Sequence, residues 1–143
     1  METKLRVRDV MTAEVTSLER NDELTLAEDI MRLGRIRHLP VIDKETGELA
    51  GILSGRDLFQ SALLRALGYG SAGHRRVLKT LRVKEVMSSD VKTVEPDAPL
   101  AHAAQTMLRH KLGCMPVVEG GRLVGILTEA DFVRLFSDDA PGA

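Results

Sequence analysis

The 143 residues include no tryptophan, one tyrosine (Tyr69) and three phenylalanines (Phe59, Phe132, Phe136). A surface that stacks unpaired bases needs aromatic faces, so this scarcity argues against a single-stranded nucleic-acid platform. Twenty Lys and Arg against 21 Asp and Glu give a net charge of −1, which leaves no electrostatic case for a polyanion. A single cysteine, Cys114, excludes an intramolecular disulfide and a cysteine-based zinc site, and fits a reducing compartment. No run approaches the roughly 20 apolar residues of a membrane span. The start, Met1-Glu2-Thr3-Lys4-Leu5-Arg6, lacks the apolar stretch of a secretory signal. These absences point to a soluble cytoplasmic domain with an aliphatic core and no nucleic-acid or membrane partner.

What is present is a repeat. Gly51-Ile52-Leu53-Ser54-Gly55-Arg56-Asp57 returns as Gly125-Ile126-Leu127-Thr128-Glu129-Ala130-Asp131. Upstream of each lies a Pro-Val step, Pro40-Val41 and Pro116-Val117, and before that a Val-Met step, Val10-Met11 and Val86-Met87. Three phrases in one order make an internal duplication, residues 7–60 against 83–134. The one gap sets Asp43 to Glu48 opposite Gly120-Gly121, in a turn, where a length change costs least.

Each copy reads β-α-β-β-α. Alternation over Glu14 to Leu18 and Asp90 to Val94 predicts a short first strand. Asn21-Asp22 and Asp97 are candidate helix N-caps, with Pro99 tolerated in a first turn. Leu24, Ala27, Ile30 and Met31, echoed by Leu100, Ala103 and Met107, give the helix one buried face. Gly34 and Gly113 suit left-handed helix ends. Two apolar runs then form a hairpin, closed in the second copy by Gly120-Gly121. A second helix starts near Asp57 and Asp131. The expected organisation is repeat 1 over 7–67, a linker over 68–80, and repeat 2 over 81–137. Gly68 to Gly73 reads as the most flexible stretch, with a turn of helix after it. A unit of this size buries too little surface alone, so the copies should pack together about a pseudo-two-fold axis. The tail after Ser137 is expected to fray.

The candidate chemistry centres on Ser54-x-x-Asp57 and Thr128-x-x-Asp131. Such spacing caps a helix N-terminus, and from spacing alone that reading is favoured. A helix start at a strand end also offers N–H groups to a phosphate, and its carboxylate can accept both hydroxyls of a ribose. Catalytic readings fare poorly. The four histidines show no metal-ligand spacing, and neither a Gly-x-Ser-x-Gly elbow nor a phosphate loop is present. The expectation is that the protein is not an enzyme.

Val7-Arg8-Asp9-Val10-Met11-Thr12, Arg37-His38-Leu39-Pro40-Val41-Ile42-Asp43 and Gly51 to Asp57, with their second copies, resemble the CBS domain. Two such units resemble a Bateman module. The resemblance implies a sensor: a cleft between the units holds AMP, ADP, ATP or S-adenosylmethionine, none of them an obligatory cofactor. It also implies a homodimer that regulates a separate effector protein. The runner-up reading is a dimerisation or protein-interaction module with vestigial sites.

With the resemblance, Asp57 and Asp131 are expected to take ribose, beside Ser54 and Thr128. His38, Leu39 and Pro40, or Cys114, Met115 and Pro116, would line the adenosine. Thr16-Ser17 and Lys92-Thr93 would contact the base, and Arg56 a phosphate. The second copy has Glu129-Ala130 where the first has Gly55-Arg56, so phosphate-rich ligands should favour the Asp57 site.

Overall fold

The computed structural model describes residues 4–65 and 70–137. The expectations for Gly68-Tyr69, for the tail after Ser137 and for the first three residues lie outside them. The chain divides into two compact units. Unit 1 takes residues 1–15 and 92–143, and unit 2 takes the continuous stretch 16–91.

Unit 2 is mixed α+β. Strand β1 (Leu18–Glu19) runs parallel to β2 (His38–Ile42), which pairs antiparallel with β3 (Leu49–Ser54). Helix α2 (Leu24–Gly34) connects the first two strands, and α3 (Gly55–Arg65) follows the hairpin. Helix α4 (Gly70–Thr80) and a single turn, α5 (Val83–Val86), complete the unit. Its core joins Leu18, Leu24, Ala27, Leu39, Val41, Leu53 and Leu58 to Leu78, Leu81 and Val83. The connecting segment is therefore helical from Gly70, longer than the single turn expected. It belongs to the core because Leu78 is fully buried.

Unit 1 opens with the one-turn helix α1 (Val7–Val10) and resumes with α6 (Leu100–His110). The hairpin of β4 (Cys114–Glu119) and β5 (Arg122–Thr128) follows, then α7 (Glu129–Ser137). Its core gathers Val7 with Val94, Leu100, Ala103, Met107, Met115, Val117 and Leu127.

Each unit thus combines the body of one repeat with the opening turn of the other. The Val-Met phrase and the Gly-Ile-Leu phrase are halves of one joint. Thr12 exchanges both backbone hydrogen bonds with Ile126, and Ser88 does the same with Ile52, all at 2.9 Å. The glycines are required by this close approach. A Cβ on Gly51 would lie 2.5 Å from the Ser88 carbonyl oxygen, and one on Gly125 would lie 2.6 Å from Met11 Sδ and 3.0 Å from the Thr12 carbonyl oxygen. The acid of each opening phrase also has its task. Asp9 accepts from the Arg6 N–H (2.8 Å) and Glu85 from the Arg82 N–H (2.7 Å), closing each turn at its N-terminus.

Local expectations differ in three places. The first strand of repeat 1 is two residues long, and in repeat 2 it contracts to one parallel bridge, Val94 to Val117. The chain leaves for the helix before more of the ladder can form. Helices α2 and α6 have Glu23 and Pro99 at their N-caps, with no side-chain cap bond. Asp22 instead accepts from the Glu19 N–H (2.8 Å), and Asp97 accepts from Arg8. The left-handed residues are Arg35 (φ 54°) and Lys111 (φ 56°), not Gly34 and Gly113. Their N–H groups close the last turns, on Met31 and on Met107 and Leu108 respectively. The Gly120-Gly121 turn forms as expected, with φ values of 62° and 82°.

Candidate functional site

The site begins where each hairpin ends and a helix starts. In unit 2 the register sets His38 opposite Ser54 and Leu39 opposite Leu53. In unit 1 it sets Cys114 opposite Thr128 and Met115 opposite Leu127. The residue two before each Pro-Val proline is thereby placed beside the hydroxyl residue that precedes the helix. Each unit collects one expected set: Thr16, Ser17, His38, Leu39, Pro40, Ser54, Arg56 and Asp57 in unit 2, and Lys92, Thr93, Cys114, Met115, Pro116, Thr128 and Asp131 in unit 1. Thr16, Ser17, Lys92 and Thr93 are exposed, just ahead of the parallel pairings. Leu39, Pro40, Met115 and Pro116 are buried.

Both hydroxyl-x-x-Asp pairs cap their helices. The Asp57 N–H donates to Ser54 Oγ (3.0 Å), and the Ser54 N–H donates to Asp57 Oδ2 (3.2 Å). The Thr128 N–H donates to Asp131 Oδ2 at 2.8 Å, with the Thr128 hydroxyl at 3.3 Å from the same oxygen.

Beyond the cap, the two carboxylates differ. Asp131 is 3% exposed. Its Oδ1 accepts from the Thr12 hydroxyl and from Arg134 Nη2, both at 2.9 Å. With the two Thr128 donors, all four acceptor directions of the carboxylate are engaged. Asp57 is only partly buried, and among the described residues its Oδ1 accepts no hydrogen bond. Arg56 beside it is exposed. The position matching Arg134 is Gln60, and the position matching Thr12 is Ser88.

Thr12 and Arg134 were missed in the sequence. Arg134 had a signal, because an Asp and an Arg three apart on a helix face each other. Thr12 had none, since its contact with Asp131 depends on the exchanged opening turn.

Cys114 is buried, and burial pushes its thiol up to about 12 from 9.0. It is a small apolar wall residue at neutral pH rather than a nucleophile. A pocket of about 480 Å³ in unit 1 is lined by Thr93, His102, Thr106, Met115, Gly120 and Gly121. Cys114, Thr128 and Asp131 are not among its walls. Among the described residues, no cluster of His, Cys, Asp and Glu could hold a metal, and no helix is long and apolar enough to cross a membrane.

Comparison with known proteins gives this geometry its context. The family model for the CBS domain matches residues 7–63 and again 83–138. The CBS domain-containing protein YhcV of Bacillus subtilis is 30% identical over 138 residues, covering 96% of this chain and 90% of its own length. Some relatives are much longer. The chain spans 24% of a homoserine O-acetyltransferase from Methanococcoides burtonii, at 33% identity. Among solved structures, the CBS domain pair of MJ0100 in complex with 5′-methylthioadenosine and S-adenosyl-L-methionine superposes with a TM-score of 0.76. It is 28% identical, covering 96% of this chain and 99% of that one. CBSX2 in complex with AMP gives 0.75 at 26% identity, covering 95% and 98%. The chain belongs to the CBS-domain family and carries two copies of the domain.

Proposed function

We propose that this protein is a non-catalytic regulatory module that binds an adenosyl ligand through Asp57, and that its other aspartate, Asp131, holds the fold together. The observation that carries the reading is the contrast between the carboxylates. Among the described residues Asp57 has an oxygen that accepts no hydrogen bond, and Arg56 next to it is exposed, whereas Asp131 is saturated by Thr12, Thr128 and Arg134. For Asp131 to take a ribose diol it would have to give up Thr12 or Arg134. Support for the ligand class comes from the relatives, whose structures hold AMP, S-adenosyl-L-methionine or 5′-methylthioadenosine.

In this reading Asp57 accepts the ribose hydroxyls, Thr16 and Ser17 meet the base, and His38 lines the adenosine. Leu39 and Pro40 offer backbone, since their side chains are buried. Arg56, at the start of α3, favours a phosphate-bearing ligand such as AMP, ADP or ATP over the sulfonium of S-adenosylmethionine. Lys92, Thr93, Cys114, Met115, Pro116 and Thr128 form the corresponding but vestigial site. Binding favours one arrangement of the chain, and a separate cytoplasmic effector protein reads the population shift.

Thermal unfolding with AMP, ADP, ATP and S-adenosylmethionine tests this. Ligand at a hundred times its dissociation constant should raise the midpoint by roughly 5–10 °C. Asp57→Ala should abolish the rise, and Asp131→Ala should lower the starting midpoint while retaining it. No shift with any of the four at millimolar concentration sinks the proposal.

A further inference from the structure

The two repeats are duplicates, yet the groove between their long helices is filled in one and open in the other. In unit 2, α4 packs against both α2 and α3, and its Leu78 enters the core with Leu58. Arg75 of α4 also pairs with Glu28 and Asp29 of α2.

The matching groove of unit 1, between α6 and α7, is a pocket of about 580 Å³. Small-molecule sites span roughly 300–1,000 Å³. Most of the wall is apolar: Met107 and Leu108 on α6, Leu112 after it, and Phe132 on α7. Phe132, the counterpart of Leu58, is only partly buried, so apolar surface here stays uncovered. The charged residues of the wall gather at one end. The Glu129 N–H donates to the Gly113 carbonyl (3.2 Å), holding the start of α7 against the end of α6, and Lys111 lies two residues before Gly113. Lys111 and Glu129 both line the pocket, and among the described residues neither side chain has a hydrogen-bond or ion-pair partner. Unit 2 does not repeat the pair, having Arg35 and Gly55 at these positions.

A cation and an anion at one end of an apolar groove are the complement of a zwitterion with an apolar body. We propose that the α6–α7 pocket binds a free α-amino acid with a large apolar side chain. Its carboxylate meets Lys111, its ammonium meets Glu129, and its side chain lies along Met107, Leu108 and Phe132. A fatty acid would bring its carboxylate up to Glu129, and a simple amine would meet Lys111 with a like charge. A polar amino acid would set hydrogen-bonding groups against walls that cannot answer them. The adenosyl site takes no part, because His38, Arg56 and Asp57 belong to unit 2 and Asp131 does not line this pocket. The pocket is therefore a second input, and it stands whether or not the adenosyl reading does.

Amide NMR titration of the full chain with L-leucine, L-methionine and L-phenylalanine, without nucleotide, tests this. At least one should saturate below about 10 mM, with the largest shifts at Lys111, Leu112, Gly113, Glu129 and Phe132. The deaminated acid and the decarboxylated amine of whichever binds should each bind about tenfold more weakly. Lys111→Ala and Glu129→Ala, at exposed positions that the fold does not depend on, should each weaken binding by a similar factor. Ala104→Trp, which fills the pocket, should abolish it. No saturable shift with any of the three amino acids overturns the inference. So does an acid or amine that binds as well as its parent, binding that survives both Lys111→Ala and Glu129→Ala unchanged, or displacement of the amino acid by AMP.

Discussion

Asp57 and Asp131 occupy the same place in two copies of one motif, and their surroundings differ. Asp131 is sealed in by an arginine one helical turn on and by a threonine from the distant N-terminal segment. Asp57 has glutamine at the first of these positions, and among the described residues its carboxylate meets only its own cap. Duplication supplies two equal sites, and the residues around the carboxylate then decide which becomes a strut and which stays available. A motif alone therefore does not identify a binding site. On the reading proposed above, the number of donors already aimed at its acceptor tells the two copies apart.

The comparison breaks most severely at the glycines. Gly51→Ala should cost about 3 kcal/mol, because its Cβ meets backbone, and Gly125→Ala about 1–2 kcal/mol, because its nearest neighbour is a flexible methionine. Urea unfolding measures both, and equal losses would mean that the two joints are equally tight.

Next comes the exchange of stability for binding. Asp131→Asn should destabilise by about 2 kcal/mol, since it removes a buried charge whose arginine partner remains in water. Asp57→Asn should cost less than about 1 kcal/mol of stability while removing ligand binding. Paired unfolding and titration calorimetry would show this crossover, and parallel effects in the two variants would end the distinction.

A smaller effect sharpens it. Gln60→Arg copies the Arg134 arrangement into unit 2 and should weaken adenosyl binding about tenfold, or ~1.4 kcal/mol. Unchanged affinity would show that an arginine at this position does not by itself close the site.

The smallest effect lies in the hairpin starts, His38 against Cys114. The folded thiol titrates near 12 and the unfolded one near 9.0. Above pH 9 the unfolded chain releases a proton that the folded chain keeps, so stability falls as pH rises. The loss should be about 1 kcal/mol between pH 9 and 10, and it should vanish in Cys114→Ala. A pH profile identical in wild type and variant would contradict the burial of the thiol.

Much of this was legible in the residues. The hairpins, the apolar helix faces and the caps at Ser54 and Thr128 follow from local spacing, because each is satisfied within a few neighbours. The family follows from ordered phrases. The exchange of opening turns was not legible, for a physical reason. Val10-Met11 and Val86-Met87 offer the same surface, Gly51 and Gly125 the same recess, so the sequence is degenerate as to which turn enters which. The left-handed Arg35 and Lys111 were hidden by nearby glycines that make better candidates on propensity. The core role of α4 was masked by the glycines at its start, while Leu78 and Leu81 lie beyond them.

The exchanged turns also set an order of assembly. The pairing of residue 52 with 88 closes a loop roughly three times shorter than the pairing of 12 with 126, an entropic advantage of about 1 kcal/mol. Unit 2 is moreover one uninterrupted stretch, complete once residue 91 has left the ribosome. Val7 and Met11 must wait, with their apolar surface uncovered, until Gly125 has been made. The stretch from Val7 to Thr12 is therefore made before unit 2 and yet finds its place only after it.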